Sequence, residues 1–176
     1  MSFKIINYDE SIRYYFKGCS KYGPKECHVN VFQHFYDNNY IEVENNEKAF
    51  KYVIGLLIFR NADNSFCYVH SWIEKNNMVI DVTPFANISI TSSTQLDVND
   101  HEELARQLRE ARYMPVKSLS NANLNKQFNA LLKLDKNYGS PGKTMEKLVR
   151  QWIGEVRSDP RVIDLIQKEN LTFIEG

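Results

Sequence analysis

The chain has 176 residues, 43% hydrophobic and 25% charged, with 22 Lys and Arg balanced by 22 Asp and Glu. This length fits one compact domain or a domain with an appendage, and formal neutrality excludes the basic footprint of a nucleic-acid binder. Three cysteines, an odd number, argue against a disulfide scaffold, and no window approaches the ~20 apolar residues of a membrane span.

Met1 to Asn7 has no long apolar run, so no signal peptide is expected. A soluble, cytoplasmic protein without membrane or nucleic-acid partners follows as the expectation. Phe3 to Ile6 reads as a short strand or lead-in, and Tyr8 to Lys17 as a short helix with Ile12, Tyr15 and Phe16 on one side. Gly18 and Gly23-Pro24 break the pattern. Pro24 suits the start of a helix over about Lys25 to Asp37, with Val31, Phe32 and Phe35 at helical spacing. Lys51 to Arg60, KYVIGLLIFR, is apolar enough for a buried central strand.

Cys67 to Phe85, CYVHSWIEKNNMVIDVTPF, has β-branched and aromatic residues on both sides of Glu74-Lys75-Asn76-Asn77. That pattern predicts two strands joined by a tight turn. With the turn centred between Lys75 and Asn76, His70 and Asp81 stand directly opposite on one face, Cβ atoms roughly 5 Å apart. At that reach the Asp accepts an imidazole N–H, fixes the tautomer and stabilises the charged ring.

After Pro84 the chain turns Ser/Thr/Asn/Asp-rich, with Ile88 to Ile90 as one short strand. Asn99 reads as an N-cap with Glu102 three residues on, opening a helix with Leu104, Leu108 and Ala111 before Pro115. Further helices are expected at about Asn121 to Leu134, Thr144 to Arg157 and beyond Ser158-Asp159-Pro160. The third of these four carries Met145, Leu148, Val149, Trp152, Ile153 and Val156 on one broad face. The fold class predicted is α+β: a small antiparallel sheet with a Cys-bearing helix packed on it. Residues 1–95 form that core, and residues 96–176 a mostly helical C-terminal region, packed on the core or used as a partner surface.

Cys27 falls in the first turn of its predicted helix, where unpaired N–H groups and the macrodipole favour a thiolate. A nearby His70 would serve as base and then as leaving-group acid, Asp81 would orient it, and the Cys27 N–H could serve an oxyanion. The plainer reading of Cys27 is a small buried hydrophobe. Cys27, His28, His34, Cys67 and His70 could be assembled into a zinc site on paper. Cys67 and His70, however, lie three apart on a strand and so face opposite sides; no metal or cofactor is expected. Gly139 to Thr144 lacks the first glycine and preceding strand of a phosphate loop.

Cys27 opening a helix, His70-Ser71-Trp72 on a strand, Asp81-Val82-Thr83 on the next and the strand segment Tyr52 to Gly55 together resemble the transglutaminase-like superfamily, part of the papain-like cysteine fold. The resemblance covers about residues 20–85. It implies acyl transfer through a Cys-His-Asp triad of Cys27, His70 and Asp81, on a protein, peptide or other amide substrate. Many relatives have Pro where this chain has Val82. The run from Gly18 to Glu26 offers no Asn or Gln for an oxyanion hole, leaving Trp72 and Tyr22 as substrate or oxyanion candidates. The alternative is a catalytically silent binding protein on the same fold, acting through its helical C-terminal surface.

Overall fold

A computed structural model describes residues 2–18, 27–31, 50–61, 64–85, 98–120, 123–124, 126–127, 129–130 and 141–174. Helix α1 is Tyr8–Gly18, and residues 27–31 are helical. The strands β1 (Phe50–Asn61), β2 (Asn64–Lys75) and β3 (Met78–Ile80) follow as consecutive antiparallel partners. Helix α2 (Val98–Glu110) leads into β4 (Arg112–Leu119), and α3 (Pro141–Arg157) and α4 (Pro160–Glu169) precede β5 (Thr172–Phe173). The expected strand at Ile88 to Ile90, and the parts of the expected helices beyond Val31 and over residues 131–134, lie outside the described residues; residues 123–124, 126–127 and 129–130 are helical, as expected.

Among the described residues the strands form one sheet in the order β3-β2-β1-β4, with β5 added in parallel to β2. β1 is internal, paired with β2 on one edge and β4 on the other, and both its faces are covered, which is why its sequence is apolar almost throughout. Tyr52, Ile54, Leu56 and Ile58 point to a core shared with Trp152, Val156, Val162 and Leu165 of α3 and α4. Val53 and Leu57 point to a second core with Trp72, Tyr113, Tyr15 of α1 and Leu108 of α2. The fold is α+β, with a helical C-terminal region.

That region also supplies β4, which the sequence reading missed. Pro115 looked like a helix stop, but it lies in a strand hydrogen-bonded to β1 alone within the sheet order, beside a register shift at Ile54/Gly55. An outer strand at a bulge is where a ladder tolerates a residue without an N–H. Helix α2 begins at Val98, so Asn99 lies inside the helix rather than capping it. The cap at Asp159 is as expected: its carboxylate accepts the Arg161 N–H at 2.8 Å, with Pro160 opening the helix.

The two outer strands do not stay apart. Residues 4–7 run between them: the Lys4 N–H donates to the Tyr113 carbonyl at 2.8 Å. The Val79 N–H donates to the Ile5 carbonyl at 3.0 Å, and the Asn7 N–H to the Val79 carbonyl at 2.7 Å. The sheet therefore curls until one short segment bridges β4 to β3, which brings Tyr113 near the residue following β3.

The hairpin turn lies on Asn76-Asn77, both with positive φ (50° and 67°), with Lys75 paired to Met78. A two-residue hairpin turn of this kind demands left-handed backbone at both positions, which Asn tolerates and Lys does not. The turn is thus centred one residue later than the sequence suggested. Continuing the register sets Asp81 beside Trp72, leaving His70 a diagonal neighbour on the same face.

Gly55 on β1 stands between His70 of β2 and Pro115 of β4. A Cβ there would meet the Met114 carbonyl oxygen at 2.0 Å and Trp72 Cη2 at 2.9 Å. The first obstacle is backbone, so β1 and β4 would have to part. Gly55→Ala should cost roughly 2–3 kcal/mol or more and lower the melting temperature by about 5–10 °C. An unchanged melt would mean that the strands separate freely at this point.

Candidate active site

β2 meets β3 at residues 73–75 and β5 at residues 66–67, which leaves the intervening edge of β2 without a strand partner among the described residues. The helical segment 27–31 is tied there. The Asn30 side-chain amide donates to Thr83 Oγ1 at 3.1 Å, and His28 Nδ1 lies 2.5 Å from Ser71 Oγ and 3.1 Å from the Tyr52 hydroxyl. His70 and Ser71 are adjacent on β2 and so face opposite sides of the sheet. Consecutive residues of the helical segment engage them: Cys27 acts on His70 and His28 on Ser71.

His70 and Asp81 are each only 1% exposed, and the His70 Nε2–H donates to Asp81 Oδ2 at 2.6 Å. The carboxylate has further donors. The Tyr113 hydroxyl donates to the same Oδ2 at 3.0 Å, and the Thr83 N–H to Oδ1 at 3.1 Å. The backbone of Asp81 is fixed in turn by its own N–H, which donates to Ser11 Oγ at 3.0 Å. The Ser11 hydroxyl donates in turn to the Asn7 carbonyl at 2.7 Å. A carboxylate so donated to is a fixed acceptor that need not be pulled out of water.

Two opposed effects act on each titrating group. Burial disfavours the His70 imidazolium, but the negative charge of Asp81, with Tyr68, Cys27 and the Asp81 hydrogen bond, outweighs it and holds the ring well above its ordinary value. Burial alone would push the Cys27 thiol up. The charge of His70, hydrogen bonds from His28 and His70 and the charge of His28 overcome it, bringing the thiol down to about 5. His70 Nδ1, the nitrogen not used by Asp81, makes no hydrogen bond of ordinary geometry. The largest pull of His70 on the thiol is through its charge. Cys67, by contrast, is pushed up to about 11 by burial alone.

No family model matches the chain, and no curated protein or solved structure matches it. Its chemistry is therefore argued from its own residues.

Of the residues singled out from the sequence, Cys27, His70 and Asp81 are brought together. Trp72 is fully buried in the second core, its ring stacked at 6.4 Å from His70 and edge-on to Tyr113 at 5.2 Å. That location makes it a wall of the imidazole site rather than a donor open to a substrate, and its Nε1 has no hydrogen-bond partner. Tyr22 and His34 lie outside the described residues. Cys67 belongs to the opposite core from the His70 side, and among the described residues no group of three or more His, Cys, Asp and Glu is set to hold a metal. The sequence reading did not find Tyr113, Ser11, Asn30 or the His28–Ser71–Tyr52 cluster. Ser71, a hydroxyl on an otherwise apolar strand face, was the one local signal available. No helix among the described residues is long and apolar enough to cross a membrane.

Proposed function

We propose that the protein is a cysteine-dependent acyl-transfer enzyme, an amide or peptide hydrolase or a transglutaminase-like transferase, using Cys27, His70 and Asp81. The observation that carries this reading is a thiol held down to about 5 beside a buried imidazole that is itself bound to a carboxylate at 2.6 Å. A thiolate–imidazolium pair of this kind is the working form of a cysteine nucleophile.

In this mechanism the Cys27 thiolate attacks the substrate carbonyl carbon, forming a C–S bond while the carbonyl electron pair moves to oxygen. The Cys27 backbone N–H is the donor proposed for that oxyanion. Collapse breaks the bond to the leaving group, which takes its proton from His70 and leaves a thioester. Water or an acceptor amine then attacks the thioester, giving its proton to His70, and the thiolate departs. Asp81 keeps the ring oriented and stabilises its charge through both halves. The substrate is a protein, peptide or other amide, with the helical C-terminal region available as a partner surface.

Iodoacetamide tests the thiol directly. Cys27 alkylation should rise through about pH 5 and be far faster than that of Cys67, held at about 11, as read by peptide mass mapping after labelling at pH 6. Equal and slow labelling of both would instead favour a binding protein without an active thiol.

A further inference from the structure

Asp81 Oδ2 accepts two hydrogen bonds, from His70 Nε2 at 2.6 Å and from the Tyr113 hydroxyl at 3.0 Å. Tyr113 is fully buried, comes from β4, and has its ring 6.3 Å from that of His70. Its backbone is tied to residues 4–7 through the Lys4 N–H, so the hydroxyl is delivered by the curl of the whole sheet. We infer that Tyr113 is a positioning residue of this site: by donating to the oxygen that holds His70, it limits how tightly the imidazolium is bound.

This inference deepens the acyl-transfer reading and rests on it for its consequence in catalysis. The physical argument is competition. A neutral donor on Oδ2 draws charge from that oxygen and weakens the second bond it can accept. An imidazolium bound too firmly would be a poor acid to the leaving group, because general-acid efficiency depends on how readily the proton is released. The other titratable groups acting on His70 are Tyr68 on β2, its ring edge-on at 5.4 Å, and Cys27 on the helical segment. Packed on the same core, α1 contributes Ser11, Tyr8 and Tyr15, and α2 contributes Leu108. Burial holds the Tyr113 phenol well above its ordinary range, with the Asp81 charge adding to the effect, so it stays a donor at neutral pH.

The test follows the His70 ring by NMR through the upper titration step of the Cys27–His70 pair, with no substrate present. Tyr113→Phe removes the donor and keeps the ring; it should raise that step by roughly half to one pH unit. Site-specific replacement of Tyr113 by 3,5-difluorotyrosine makes the phenol a stronger donor and should lower the step. Opposite shifts support the inference. No shift, or shifts of the same sign, in folded proteins would overturn it, and if Tyr113→Phe fails to fold, the difluorinated protein alone decides by the direction of its shift. Because the readout needs no turnover, a failed acyl-transfer reading would appear separately, as the shifts intact in a protein without acyl chemistry.

Discussion

Cys27→Ala should abolish the burst of nitrophenolate released from p-nitrophenyl acetate, one equivalent per chain, while leaving the melting temperature nearly unchanged. The side chain lost is small, so the effect on packing is minor, whereas the nucleophile is removed outright. His70→Ala should be almost as severe, since the thiol loses both the charge that ionises it and the acid that protonates the leaving group. Asp81→Asn keeps the shape of the side chain and should cost between 10- and about 10⁴-fold, by analogy with serine triads. The ranking is the informative part. If Cys27→Ala retained the burst, or if Asp81→Asn proved worse than His70→Ala, the three residues would not form a catalytic unit, and the His70–Asp81 bond would be a strand fastening.

Trp152→Ala should lower the melting temperature by on the order of 10 °C, from a cost of roughly 3–5 kcal/mol. Trp152 is 0% exposed, packs on Tyr52 at 5.3 Å between centroids, carries the Lys117 ammonium over its ring at 5.6 Å, and donates from Nε1 to Gln127. Removing it empties the space between α3 and the central strand. Because Tyr52 also meets the His28–Ser71 cluster, the loss should be felt at the helical segment that carries Cys27. Differential scanning calorimetry measures it. An unchanged melt with altered self-association would make this helix face an interface instead.

Much of this was written locally. The two long strands and the hairpin were legible because β-branched and aromatic runs are bounded by Asn-rich breaks. The α3 stripe and the Asp159-Pro160 start were legible because capping and 3.6-residue periodicity are short-range signals. His70 and Asp81 could be paired for the same reason: a hairpin makes residues eleven apart into neighbours. β4 was not legible, since its proline is tolerated only by its outer position and its bulge, both properties of the assembled sheet. Tyr113 was missed for a related reason. It lies 32 residues from Asp81, and it is the assembled sheet, with residues 4–7 bridging both outer strands, that brings them together.

That bridging also bears on how the chain behaves among other copies of itself. A strand as rich in Val, Ile, Leu and Phe as β1 is a hazard if its sheet can recruit more strands, because unpaired edge groups template pairing with another chain. Here β1 is internal, and at Tyr113 and Val79 the outer strands spend their backbone groups on the chain's own residues 4–7. The same few hydrogen bonds that draw a phenol toward a carboxylate thus leave fewer places where a neighbouring molecule can add on.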